Sequence, residues 1–234
     1  CDLRYPSDAS VAWECRKIAK GETLESIFGD RWPDVARFNR IDRRHAYPGI
    51  KIRVPASLAT IEGFTPMPGR YEAAANDAKL LLLDVSEQFI GAYEHGSLVF
   101  SAPVATGRRS NPTPTGEFQV TAFDRRHRSS LYKVEGTSRP YPMHYGLRFL
   151  TTRSGVTYWI HGRDMPGYPA SHGCIGLYDE EMQREVYRKL NDPQLDDARR
   201  LYEWAIGDVV DSGAKQELFG PRLVITGALP TAGK

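Results

Sequence analysis

Cys174 lies in the string Ala170-Ser171-His172-Gly173-Cys174-Ile175-Gly176-Leu177, and a second His-Gly pair, His161-Gly162, precedes it by thirteen residues. A thiol attacks carbonyls as the thiolate, and a neighbouring imidazole is the usual means of forming one. Glycine beside the cysteine leaves backbone N–H groups unobstructed where an oxyanion would develop. Residue types and spacing therefore point to acyl transfer on a cysteine.

The same atoms are zinc-capable: His161, His172, Cys174 and Asp164 are all metal-ligand types. The His172–Cys174 spacing is too short for the usual chelating loop, and Cys15 lies far away in the sequence. Neither a metal nor a cofactor is expected.

Strands must position these groups. Val156, Tyr158 and Ile160 alternate with Thr157, Trp159 and His161, so a strand delivers His161 at its end. A loop rich in Gly and Pro, residues 163–170, then returns the chain to Ser171. Before it come closely spaced strands at Lys79–Val85, Gln88–Tyr93, Leu98–Val104 and Glu117–Ala122, with hairpin signals such as Glu94-His95-Gly96-Ser97. This density predicts a largely β sheet or sandwich. Helix is expected mainly after the cysteine. Asp179 suits an N-cap, Met182, Val186 and Leu190 form an apolar stripe, and Asp197–Ala205 reads as a further helix before a closing strand at Arg222–Thr226.

The first part of the chain is a separate pattern, set off by Gly63, Pro66, Pro68 and Gly69. It predicts a strand–helix–helix–strand unit. Thr23 caps Leu24–Phe28, Pro33 opens Trp32–Asn39, and Tyr47-Pro48-Gly49 turns into the alternating strand Ile50–Pro55.

Whole-chain properties narrow the classes. The 234 residues, 41% hydrophobic, suffice for one large domain or a medium domain with a small one attached. A net charge of +2 gives no support to nucleic acid as the partner. No apolar run reaches the ~18–20 residues that span a bilayer. Three cysteines leave at least one unpaired, and Cys174 is the expected free thiol. Cys1 and Cys15 either pair with each other or are two unrelated thiols.

Two resemblances follow. Lys20-Gly21-Glu22-Thr23-Leu24-Glu25-Ser26-Ile27, then Phe38-Asn39-Arg40-Ile41, then Tyr47 to Pro55 resemble the LysM module, implying binding to N-acetylglucosamine polymers. Residues from about Lys79 to Thr226 resemble the L,D-transpeptidase catalytic domain of the YkuD type. The carriers are Lys79 to Phe89 with its hairpin, Pro103-Val104-Ala105-Thr106-Gly107 with Pro112 to Phe118, and Ile160-His161-Gly162-Arg163 with Pro166 to Leu177. The expected fold is a mainly β, sandwich-like catalytic domain with a few helices plus a small α+β LysM-like domain. Expected bounds are a tail at 1–13, the module at 14–58, a connector at 59–75 and the catalytic domain at 76–228.

The second resemblance implies a cysteine enzyme of peptidoglycan that forms a thioester on tetrapeptide stems, releases D-Ala and passes the acyl group to an amine. Cys174 is the implied nucleophile and His161 the base, its ring oriented by the Gly162 carbonyl. His172 is implied to shape the pocket with support from Ser171, and N–H groups around Gly173 and Cys174 to form the oxyanion hole. The motif at Thr113, Thr115 and Gly116 is expected only to make a tight turn. The family usually carries Arg or Asn where this chain has Gly176, so Arg163 is a candidate replacement cation. Tyr145 and Arg148 are further candidates for substrate binding. An L,D-carboxypeptidase at the same site and a non-catalytic wall-binding lipoprotein are the alternatives. Implied partners are stem peptides and glycan strands. A chain beginning at Cys1 matches a mature bacterial lipoprotein, with Asp2 resembling an inner-membrane retention signal, so the expected location is the periplasmic side of the envelope, anchored through a lipidated Cys1.

Overall fold

The computed structural model describes residues 1, 5–188, 190 and 192–230; Asp2, read above as part of a retention signal, lies outside them. The N-terminal unit runs β1 (Trp13–Lys17), α1 (Leu24–Phe28), α2 (Trp32–Asn39), β2 (Lys51–Pro55). β1 and β2 pair antiparallel, Trp13 opposite Pro55 and Lys17 opposite Lys51. As the sequence predicts, Thr23 caps α1 by accepting the Ser26 N–H at 3.2 Å, and Pro33 occupies the first turn of α2, where no N–H is needed.

This unit shares its core with the rest of the molecule. Ile18, Leu24, Trp32, Val35, Ala36, Phe38 and Ile52 close on Ala105, Met165, Tyr178 and Leu195. The stretch 59–75, expected as a connector, is a packed strap. Ile61 and Met67 are buried, and the Phe64 ring stands edge-on to Phe38 at 5.1 Å and to Phe89 at 6.0 Å.

Charge crosses the same seam. Arg37 reaches Asp197 at 2.5 Å, and Arg43 holds Glu180 through Nε and Nη2 at 2.9 and 2.6 Å. The fully buried Arg40 side chain meets Glu87 at 3.3 Å and Asp8 at 3.6 Å, beneath the Tyr5 ring at 4.0 Å. Burial lowers its pKa to about 10, which still leaves it cationic at neutral pH.

Cys1 and Cys15 are joined in a disulfide. A sulfur in that bond cannot also carry a thioether-linked lipid, so of the uses expected for Cys1 the structure shows the pairing with Cys15. No helix among the described residues is long and apolar enough to cross a membrane.

The larger part of the chain continues as β3 (Leu80–Asp84), β4 (Phe89–Glu94), β5 (Ser97–Pro103), β6 (Gly116–Gln119), β7 (Ala122–Asp124), β8 (Arg128–Lys133), β9 (Pro140–Pro142), β10 (Gly146–Thr151), β11 (Thr157–Arg163), β12 (Ile175–Tyr178), α3 (Glu180–Tyr187), α4 (Asp197–Ile206), β13 (Gln216–Glu217) and β14 (Arg222–Thr226). Two mixed five-stranded sheets result, ordered β5-β4-β3-β14-β6 and β12-β11-β10-β7-β13. Their facing sides share one core, with Leu81, Leu83, Ile90 and Ile225 from the first sheet and Phe123, Leu147, Ile160 and Ile175 from the second. Leu201, Tyr202 and Ala205 of α4 extend that core. The four-leucine run of β3 has no polar face because its other side is also covered: Leu80 and Leu82 pack with Met67, Phe89 and Tyr93.

Two expectations need adjustment. The strand expected at Glu117–Ala122 divides, because the chain leaves the first sheet at Val120 and enters the second at Ala122, bonding Pro221 and then Arg148 on the way. The apolar stripe Met182, Val186, Leu190 is cut short. Asp179 does cap α3 through Met182 N–H, but the helix ends at Tyr187, and both Arg188 and Leu190 have positive φ.

Candidate active site

β11 and β12 run parallel, with Ile160 opposite Ile175 and His161 opposite Gly176. Ile160 and Ile175 enter the core, so the alternation of side chains turns Trp159, His161 and Arg163 to the other face. Cys174, the residue before β12, falls on that same face. It is a free thiol, half-buried, and with His161 it lines a cavity of about 550 Å³. His161 lies within its strand, since β11 continues to Arg163.

The imidazole is held in one sense. His161 Nδ1 lies 2.7 Å from the Gly162 carbonyl oxygen, which can only accept, so Nδ1 carries the hydrogen and Nε2 is left as the basic nitrogen. Gly162 N–H in turn donates to the His144 carbonyl at 2.8 Å. A Cβ at position 162 would overlap the Asp179 carboxylate packed beneath it, which accounts for glycine there. Burial drives the His161 pKa down to about 3; the Gly162 carbonyl opposes this, while Arg163, His127 and His144 add to it. Burial also raises the Cys174 thiol, against the Trp159 backbone and Arg163, which lower it. At neutral pH the resting pair is thus thiol and neutral imidazole, rather than the thiolate expected from the sequence.

The cysteine loop is tied down from several sides. Ser171 Oγ donates to the Cys174 carbonyl at 2.6 Å and accepts the Gly173 N–H at 3.0 Å. Ala170 and Ser171 N–H groups both donate to the Thr106 carbonyl, and Ala105 exchanges two bonds with Gly176. Thr113 does more than make a turn. Its buried hydroxyl accepts the Gly107 N–H at 2.8 Å and donates to the Gly173 carbonyl at 2.9 Å. Because Gly173 N–H is already engaged by Ser171, it is removed from the expected oxyanion donors. Gly173 is needed instead for its φ of +114°, and because a Cβ there would strike the Tyr158 ring.

The walls come from three directions. The β8–β9 hairpin supplies Leu131, Tyr132 and Tyr141, and Tyr132 stacks on His172 with centroids 4.3 Å apart. His172 is exposed and ring-stacked at the rim. His127 stacks on Trp159 at 3.9 Å. From the N-terminal unit, Arg44 reaches the cavity, pairing with Asp164 at 2.9 Å and lying over Tyr187 at 4.1 Å. Arg163 also lines the cavity; its Nε donates to the Asp164 carbonyl at 3.0 Å.

Tyr145 and Arg148, expected as substrate contacts, do not line this cavity. Tyr145 packs against the core, edge-on to Tyr202 at 5.7 Å, and Arg148 is drawn to Glu217 of β13 at 2.6 Å. The sequence signals Thr113 only as part of a turn and Asp179 only as an N-cap, and it carries no signal for Tyr132 or Arg44. Among the described residues, no three His, Cys, Asp or Glu side chains converge as a metal-binding group.

A family model of the L,D-transpeptidase catalytic domain matches residues 78–212, more than half of the chain, and the protein belongs to that family of enzymes. Solved structures with similarity include an L,D-transpeptidase from Xylanimonas cellulosilytica DSM 15894, with TM-score 0.48, 22% identity, and 82% of this chain and 78% of that chain covered. For an L,D-transpeptidase from Stackebrandtia nassauensis the values are 0.45, 20%, 87% and 69%. For L,D-transpeptidase 1 of Mycobacterium tuberculosis they are 0.40, 21%, 64% and 62%. The chain spans 59% of a further solved LD transpeptidase, one in complex with imipenem. No curated protein matches.

Proposed function

We propose that the protein is an L,D-transpeptidase acting on peptidoglycan tetrapeptide stems through a thioester on Cys174. The observation that carries this reading is the free thiol lining a cavity beside an imidazole whose Nδ1 is fixed on the Gly162 carbonyl. Cys174 Sγ attacks the carbonyl of the L-centre of diaminopimelate as His161 Nε2 takes the thiol proton. The C–N bond then breaks, and the departing D-Ala amine collects that proton. An acceptor amine attacks the thioester, yields a proton to His161, and the C–S bond breaks to restore the thiol. The Cys174 N–H is assigned as an oxyanion donor.

Residues 76–228 form the catalytic domain in this reading, and residues 14–58 a LysM-like module that holds the enzyme on glycan strands. The β-α-α-β order and the exposed Tyr47 of that module favour this. The Cys1–Cys15 disulfide supports an oxidising compartment, the cell envelope outside the cytoplasm, as the working location in this reading. The test is incubation with purified tetrapeptide muropeptides and mass spectrometry of the products. Cross-linked products with D-Ala release support the proposal. Tripeptides alone would reassign the site to a carboxypeptidase, and unchanged tetrapeptides would reject the enzyme reading. Sedimentation with insoluble peptidoglycan, before and after Tyr47→Ala, tests the module.

A further inference from the structure

Gly176 stands directly across the parallel ladder from His161, where a side chain would point into the cavity. That volume is taken by Arg163, whose stem crosses the Gly176 Cα. A Cβ built at 176 would coincide with Arg163 Cγ and Cδ. Arginine at 163 in this pose and any larger residue at 176 therefore exclude each other.

The guanidinium delivered along this path is positioned but unused. Its Nε is anchored on the Asp164 carbonyl, while the Asp164 carboxylate is engaged by Arg44 and Tyr187. Among the described residues, no carboxylate pairs with Arg163. Its two Nη groups retain the fork geometry that matches a carboxylate. Its charge is felt at Cys174, His161 and His172 alike, so it sits among the reacting groups.

We propose that Arg163 is a specificity-determining residue that binds the free C-terminal carboxylate of the peptide, and that Gly176 is the clearance that lets it reach that position. The inference rests on the reading of Cys174 as nucleophile toward a peptide carbonyl. In a substrate cut at its last bond, the terminal carboxylate carbon lies within roughly 4 Å of the carbonyl under attack. A fork lining the same cavity as the nucleophile is placed for that group. Recognition of the carboxylate would confine cleavage to the last residue.

The test compares two ligands, the tetrapeptide stem with a free C-terminal acid and the same peptide with a C-terminal amide. Their binding to the full chain carrying Cys174→Ala is measured by calorimetry, so no turnover is required. The acid is expected to bind about ten- to a hundredfold more tightly than the amide. Arg163→Gln should abolish the difference, and Gly176→Ala should do the same by displacing the arginine. Arg163→Gly with Gly176→Arg, which moves the guanidinium to the opposite strand, should restore part of it. Equal binding of acid and amide to the parent, or a preference that survives Arg163→Gln, overturns the proposal. If Gly176→Ala does not fold, the Arg163→Gln comparison still decides. D-Ala release from the acid by the unmodified protein is scored separately. Its absence alongside retained acid preference would reject the catalytic reading and leave the carboxylate site standing.

Discussion

The seam between the N-terminal unit and the sheets, and the cavity around Cys174, use arginine in opposite ways. At the seam Arg37, Arg40 and Arg43 each have a carboxylate partner, as does Arg44 where the seam meets the cavity. In the cavity Arg163 has none among the described residues, although it is held by its backbone contact and its slot over Gly176. Buried charges with partners are costly to disrupt and hold neighbours in register. A placed charge without a partner leaves its interaction energy available to a ligand. The contrast separates the arginines that maintain the structure from the one that serves the site.

That contrast is broken most severely at Arg40. Arg40→Met leaves Asp8 and Glu87 facing an apolar side chain, and it should lower unfolding free energy by about 3–5 kcal/mol, read by urea denaturation. Arg163→Gln, by comparison, should shift stability by about 0.5 kcal/mol or less. Equal losses from the two variants would erase the distinction.

Asp179 extends the comparison to acids. Its Oδ1 caps α3, while Oδ2 is buried without a hydrogen-bond partner, and burial raises its pKa to about 6. A carboxyl raised on folding stabilises the native state fully below its ordinary value of 3.8 and loses that contribution as pH rises through about 6. Asp179→Asn, which can still accept the Met182 N–H, should therefore gain stability relative to the parent as pH climbs from 4 to 7, by about 2 kcal/mol. A constant difference across that range would contradict it. His161 has the opposite sign: its contribution is present above 6.5 and is lost as pH falls toward about 3.

The neutral resting pair gives a chemical prediction. Alkylation by iodoacetamide reports thiolate alone, so at Cys174 it should be slow at pH 7 and rise only above the ordinary thiol range. Fast alkylation at neutral pH would indicate a preformed ion pair. The smallest effect is expected at the rim. Tyr132→Ala removes the stack on His172, worth about 0.5–1.5 kcal/mol, and should raise KM several-fold while lowering Tm by only a few degrees, about 1–6 °C.

Local chemistry was legible in the sequence. The two His-Gly pairs, the alternation leading to His161, the Thr23 and Asp179 caps and the closing strand at Arg222–Thr226 all depend on neighbours a few residues away. What could not be read depends on register between distant segments. Arg163 crosses Gly176 only because β11 and β12 are parallel in one alignment. Thr113 reaches Gly173 across sixty residues, and Tyr132 reaches His172 from a hairpin whose pattern says nothing of its destination. Arg148 departs from its expected place for the same reason, since its partner Glu217 lies on a two-residue strand near the end of the chain. The buried seam was hidden too, because arginines in α2 and the turn after it read as surface until their carboxylates are placed opposite.

The central claim is a covalent bond to one sulfur. Tetrapeptide stem is mixed with the protein, quenched in acid within seconds, and the intact mass and digested peptides are measured. The account predicts free D-Ala together with a tripeptide acyl adduct confined to the peptide containing Cys174, and neither in Cys174→Ala. D-Ala release that persists in Cys174→Ala, or an adduct on another residue, would contradict it.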